Sequence, residues 1–201
     1  MNITTEQIKE LREKTSVSVM QCRKALEDAG GDMEKAVILL RKKGAETAEK
    51  KAERVLKASR IVSYVHGVGT VGVMVELSSE SDFVSKHEDF AKLAYDIAMQ
   101  IAAMNPKYIK KDDVDLEERN KVLEAFEVEV KGKPEAIREK ILSGKLDAYF
   151  KEQVLLDQDF IKDPTMTINT LITNAVQKYG EKIEVTRFVR FATNMPAKIC
   201  G

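Results

Sequence analysis

The sequence predicts an α+β protein: an N-terminal three-helix domain, a helical linker, then a three-stranded antiparallel sheet packed with helices. Three observations carry that prediction. Over residues 4–44 apolar residues recur at helical spacing. Over 60–78 the period changes to two around a glycine-containing turn. Residues 183–192, IEVTRFVRFA, concentrate the β-branched and aromatic types that suit a pleated, half-buried strand.

Each element follows from local chemistry. Thr4 with Gln7, and Ser18 with Gln21, match the capping box, in which the hydroxyl and the glutamine satisfy each other's free amides. Ile8 and Leu11 face the core from the first helix, Cys22, Ala25, Leu26 and Ala29 from the second, and Met33, Ala36, Val37 and Leu40 from the third. Gly30-Gly31 ends the second helix, Asp32 caps the third, and Gly44 is placed to end it in the left-handed conformation. Residues 45–58, AETAEKKAERVLKA, hold helix formers but few large apolar residues, so they read as an exposed helical linker between a 1–44 domain and a 59–201 core. RIVSYVH and VGVMVELS flank Gly67–Thr70 as a hairpin, with Val71, Val73, Val75 and Leu77 on one face.

Phe90, Leu93, Ala94, Ile97, Ala98, Ile101 and Met104 then form a wide helical stripe over 86–104. Ser85 with Glu88 fits a further capping box there, and Pro106 stops the helix. Residues 112–155 read as helical, with Pro134 suited to a first turn and Gly144 to an ending. A helix over 168–179 closes at Gly180, the third strand spans 183–192, and the remaining residues to Gly201 read as a tail.

Composition bounds the function. The chain has 201 residues, with 33 Lys+Arg balanced by 33 Asp+Glu, and 43% of its residues are hydrophobic. A cancelled charge argues against a nucleic-acid partner. No run approaches the roughly 20 apolar residues of a membrane span, and the polar start MNITTEQIKELREKT has no signal-peptide core. Cys22 and Cys200 lie far apart without metal spacing, so reduced thiols and a cytoplasmic location are expected. The zero net charge is segmented: residues 1–58 hold 13 bases against 10 acids, 76–96 hold two bases against six acids, and 182–198 hold four bases against one acid. That pattern favours a protein partner.

Nothing in the sequence assembles a catalytic or metal site. A nucleophile needs a histidine and an orienting acid. His66 falls at a strand end, His87 at a helix start, and Cys22 on a core face. Paired acids occur at Asp112, Asp113 and Asp115 and at Asp157, Asp159 and Asp163; the second series lacks the glycine and terminal glutamate of a calcium loop, and both read as loop and helix-start acids. HGVGTVG lacks phosphate-loop spacing and a following helix. A non-enzyme without cofactor or metal is expected. The unusual stretch is Ser78–Ser85, where a strand runs into polar residues and then Asp82-Phe83-Val84. Two readings stand: an acid at a helix N-terminus with Phe83 tucked onto the core, or a loop presenting an aromatic beside an acid, as interface hot spots do.

Taken together, IKELREKTSVSVMQCRKALEDAGGDMEKAVILLRKKG (8–44), AEKKAER (48–54), the run VGVMVELSSESDFVSKHEDFAKLAYDIAMQIAAMNPKYI (71–109), LLDQDFIKD (155–163) and RFVRF (187–191) resemble the elongation factor Ts family over about residues 1–192. The resemblance implies a nucleotide exchange factor for the translation GTPase elongation factor Tu. It implies that the N-terminal helices form a ubiquitin-associated-type domain docking on the GTPase, with contacts at Arg12, Val19 and Met20. It further implies that Asp82 and Phe83, within Ser81–Val84, press toward the GTPase's magnesium and phosphate site so that Mg²⁺ is lost and GDP leaves faster.

The sequence departs from the family pattern in places. Ser81 replaces the usual threonine, with the hydroxyl expected to keep a capping role. Ser16 and Ser18 replace turn glycines, and Val19 replaces a methionine. Longer relatives hold two copies of the sheet subdomain, so a homodimer supplying the second half is a further expectation. The competing readings are an adaptor that binds ubiquitin-like partners through the N-terminal helices, and a small hydrolase using Cys22 or His87.

Overall fold

A computed structural model of the chain describes residues 3–132 and 134–193. The tail expected beyond Ala192, with Cys200, lies almost wholly outside the described residues.

Three helices come first: α1 (Thr5–Thr15), α2 (Val19–Asp28) and α3 (Met33–Lys50). The Thr4–Gln7 capping box forms in both directions. Ser18 accepts the Gln21 amide at 3.4 Å, but Gln21 does not complete the box, and its buried Oε1 has no partner. Leu11, Val17, Cys22, Ala25, Leu26, Ala36 and Leu40 form the core of this bundle. Burial pushes the Cys22 thiol up, and its Sγ donates weakly to the Val17 carbonyl at 3.6 Å, as suits a structural cysteine.

Gly44 does not end α3. It sits buried in the helix, and a Cβ there would meet Gln177 Oε1 at 3.2 Å and the Thr173 carbonyl at 3.6 Å, so its use is close approach to another helix. The expected helical linker is accordingly helical only to Lys50, and the chain then turns before entering a strand.

β1 (Ala58–His66), β2 (Val71–Ser79) and β5 (Ile183–Ala192) form a sheet in the order β1-β2-β5. Gly67 and Gly69, both at positive φ, make the tight β1–β2 turn. The side-chain bonds Ser78–Thr186 and Glu76–Arg187 mark the antiparallel course of β2 and β5. Val73, Val75 and Leu77 are buried on the expected face.

Between sheet strands lie α4 (Asp82–Ser85), α5 (Glu88–Met104), α6 (Leu116–Glu129), α7 (Glu135–Gln153) and α8 (Ile168–Tyr179). The α5 stripe is buried through Ile101, whereas Met104 is exposed at the helix end. Ser85 does not cap α5, because it is the last residue of α4 and its hydroxyl donates to the Asp82 carbonyl. His87 takes over, its Nδ1 accepting the Asp89 amide at 3.1 Å. Gly144 ends nothing, since α7 runs through it to Gln153. Gly180, at φ +68°, does close α8.

A short ribbon of β3 (Asp159–Phe160) and β4 (Asp163–Thr167) replaces the loop read from the aspartates. Asp159 lies on a strand and Asp163 opens one; Asp115 caps α6 as a helix-start acid. Gln100, fully buried on α5, holds the ribbon by donating to Gln158 Oε1 and the Asp159 carbonyl while accepting the Ile161 amide.

The chain divides into two compact units. Among the described residues, one comprises 3–64, Met74–Ala98 and Asn169–Val189; the other comprises Val65–Val73, the described part of Met99–Ile168, and 190–193. In the second, Leu146 and Phe150 of α7, with Val154 just past its end, form a small apolar core with Tyr108, Leu123 and Phe126.

Candidate functional site

The first unit carries both surfaces that the sequence singles out. At the end of β2 the buried Ser79 donates its hydroxyl to the Ser81 carbonyl at 3.0 Å. Ser81 is extended (φ −130°, ψ 154°), and the chain then makes one helical turn, Asp82–Ser85. The turn closes through Ser85 N–H to the Ser81 carbonyl at 3.2 Å and Lys86 N–H to the Asp82 carbonyl at 3.1 Å. Val84 is 2% exposed and plugs the turn onto the core, which leaves Phe83, one residue earlier, 79% exposed. Of the first reading of Ser78–Ser85, the acid does stand in the first turn of a helix, at Asp82, but the placing of Phe83 is overturned: Val84, not Phe83, makes the core contact.

Asp82 is also exposed, and its carboxylate accepts Lys86 Nζ at 3.0 Å. An exposed pair of this kind contributes little and opens easily. Ser81 does not cap with its side chain; the hydroxyl is committed to Glu181 at 2.5 Å. The expected hydroxyl capping role is thus corrected: Glu181, two residues after the end of α8, captures the group instead. Glu80 is held from the same loop, accepting Lys182 N–H at 2.5 Å, and from the segment after α3, accepting Arg54 at 3.0 Å. Burial pushes the Glu80 carboxyl up, but the Lys182 amide, Arg54 and Lys51 together outweigh it and leave the group below its ordinary range.

The chain contains three Asp-Phe pairs, at 82–83, 89–90 and 159–160. Phe90 is 0% and Phe160 6% exposed, so only the first pair presents its ring to solvent. The dipeptide alone does not distinguish them; the buried residue that follows Phe83 does.

The second surface is on the N-terminal bundle. Ser18 opens α2, and Val19 and Met20 on its first turn are 51% and 83% exposed. Arg12, also exposed, lies on α1. Ser16 ends α1 at φ +57°, a left-handed conformation that a glycine would adopt without strain. Ile38 and Leu39 on α3 are exposed as well. The core stripe that the sequence marks on this helix does not include them, although they lie beside it. Glu80 and Glu181 were missed for a different reason: no local pattern marks a bond between residues a hundred positions apart.

Among the described residues no group of three or more His, Cys, Asp or Glu is placed to hold a metal ion. No helix among them is long and apolar enough to cross a membrane.

Comparison with known proteins covers almost the whole chain. The family model described as Elongation factor TS matches residues 2–195. An elongation factor Ts of Thermodesulfovibrio yellowstonii is 52% identical over 192 residues, covering 95% of this chain and 96% of that protein. Those of Thermotoga petrophila, at 49% identity with 95% and 96% coverage, and Koribacter versatilis, at 47% with 95% and 88%, are similar to comparable extent.

Proposed function

The chain belongs to the elongation factor Ts family and is a translation elongation factor, and from that premise we propose that it is the guanine nucleotide exchange factor of the GTPase elongation factor Tu. In this proposal residues 1–44 dock through Arg12, Val19 and Met20, residues 45–58 connect, and the 59–201 core acts through Ser81, Asp82, Phe83 and Val84. The observation that carries it is Phe83, an aromatic ring held 79% exposed beside an exposed carboxylate on a turn anchored at both ends.

An exchange factor needs no catalytic side chain. It must bind the nucleotide-free GTPase more tightly than the nucleotide-bound form, and linkage then makes nucleotide weaken the factor by the same free energy. Burying Phe83 in a partner cleft supplies about 1.5–3 kcal/mol toward that difference. Asp82 exchanges its weak pairing with Lys86 for contacts near the cation of the partner. Once the cation is lost, the nucleotide phosphates are poorly neutralised and GDP leaves.

The test is release of a fluorescent GDP from elongation factor Tu. The protein accelerates it, and the double substitution Asp82→Ala/Phe83→Ala abolishes most of the acceleration while circular dichroism stays unchanged. Equal rates for the double variant and the parent would reject the mechanism. The adaptor reading has no comparable support, because the family match extends through both the bundle and the core.

A homodimer is also proposed. It is supported by Ile61 and Met74, both about half exposed on neighbouring sheet strands. A monomeric mass in light scattering at working concentration would exclude it.

A further inference from the structure

Ser81 is held by a residue a hundred positions away. Glu181 accepts the Ser81 backbone N–H at 2.9 Å through one carboxylate oxygen and the Ser81 hydroxyl at 2.5 Å through the other. The tie is reciprocal, because Glu80 accepts the Lys182 N–H at 2.5 Å. The same loop also holds the segment leaving α3: Lys51 Nζ donates to the Gly180 carbonyl at 2.6 Å, and Lys182 Nζ donates to the Ala52 carbonyl at 2.7 Å. Residues 180–182 therefore clasp both the connector from the N-terminal bundle and the residues that open α4.

Resting on the exchange-factor reading above, we propose that Glu181 is a positioning residue for nucleotide exchange: by clasping Ser81 it holds the Asp82–Phe83 turn in its outward form before the GTPase is met. A single helical turn is poorly self-supporting, since it fixes several dihedral angles for very few hydrogen bonds. The Asp82–Lys86 pair is too exposed to hold it. A carboxylate taking two donors from one residue fixes the backbone at the point where the turn begins, and bonds to an ionised acceptor are the stronger kind. Ordering the turn in advance removes that cost from the encounter, where it would otherwise be subtracted from the binding energy of Phe83. Glu181 acts only through Ser81.

The experiment uses the full chain with Glu181→Ala, Glu181→Gln, Ser81→Ala and the Ser81→Ala/Glu181→Ala double variant. It has two readouts: fluorescent GDP release from elongation factor Tu over a titration of the factor, and amide hydrogen exchange of the factor alone. Glu181→Ala is expected to lower the maximal release rate about tenfold with a half-saturating concentration changed less than about twofold, the loss of a charged hydrogen-bond acceptor. The Ser85 and Lys86 amides, which close the turn, then exchange about tenfold faster while those of the bundle core around Leu26 do not change. Glu181→Gln, which keeps an acceptor oxygen, restores the maximal rate to within about threefold. The double variant is no slower than Glu181→Ala, because Glu181→Ala already removes both bonds to Ser81, the hydroxyl bond lost in Ser81→Ala among them.

An unchanged maximal rate, or faster exchange spread evenly over the chain, would overturn the proposal. If Glu181→Ala does not fold, Ser81→Ala decides: slower release by about threefold supports the clasp, and parental release overturns it. Failure of the parent chain to accelerate GDP release sinks the exchange-factor reading itself, whereas the clasp is judged separately by the Ser85 and Lys86 amides.

Discussion

The first turns of α2 and of α4 both present apolar side chains to solvent, but they are built in opposite ways. Met20 is displayed by a helix whose start is set within three residues, by Ser18 accepting the Gln21 amide. Phe83 is displayed by a turn whose start is set from Glu181, across a hundred residues of chain. The first display belongs to an 11-residue helix, a 10-residue helix and an 18-residue helix packed on a shared core. The second rests on four residues. An exposed patch can be encoded locally and supported by its own small core, whereas the Phe83 turn is fixed by long-range bonds and by the buried Val84, which leave its ring in solvent.

The sharpest way to break the comparison is in the bundle core. Leu11 is fully buried there, so Leu11→Ala should cost about 2–5 kcal/mol from the lost contacts and the cavity left behind. Denaturant unfolding measures the loss, and Phe83→Ala, which removes an exposed ring, should leave the same curve in place. The two displays should next separate kinetically. Phe83→Ala should lower the maximal rate of GDP release by on the order of 10- to 100-fold, the equivalent of its burial energy. Met20→Ala should raise the half-saturating concentration with the maximal rate kept; a fall in maximal rate alone would erase the distinction between docking and pressing.

Smaller effects test the local code. Ser16 sits at φ +57°, so Ser16→Gly should stabilise the bundle by about 1 kcal/mol. Ser18→Ala, which removes a cap, should destabilise it by a similar amount, about 1 kcal/mol. Opposite shifts in the thermal midpoint check the pair.

The smallest effect is in acid. The Glu80 carboxyl lies below its ordinary value of 4.5 in the folded chain, so the folded state binds a proton there less readily than the unfolded state. Its ties to Lys182 and Arg54 therefore stabilise above about pH 4.5 and are lost as pH falls through the lower folded value. Glu80→Gln should flatten the decline of the thermal midpoint below that pH, and an unaltered slope would show that the tie carries no net charge contribution.

Legibility in the sequence follows the same division. The bundle helices, the hairpin, the α5 stripe and the third strand were readable because period and caps act within a few residues. Gly44 and Gly144 look like stops in the sequence because a glycine inside a helix is locally the same as a glycine after one, yet both helices run through them. Only the approach of Thr173 and Gln177 gives Gly44 its reason. Ser85 looked like a cap for the long helix and is instead the buried end of a separate turn. The ribbon at Asp159–Thr167 went unread because its two-residue first strand has no period, and its anchor, Gln100, is nearly sixty residues away.

By itself, the sequence determined the bundle helices, the hairpin, the α5 stripe and the third sheet strand with their apolar faces, that its charge is balanced but segmented, and, through long ordered stretches, which family it resembles. Those properties depend on side-chain chemistry repeated over short distances. Tertiary structure alone decided which of three Asp-Phe pairs stands in solvent, and that Ser81 answers to Glu181. Exposure is a property of the packed surface, and a hydrogen bond between residues 81 and 181 exists only after the chain between them has folded and brought the two loops together.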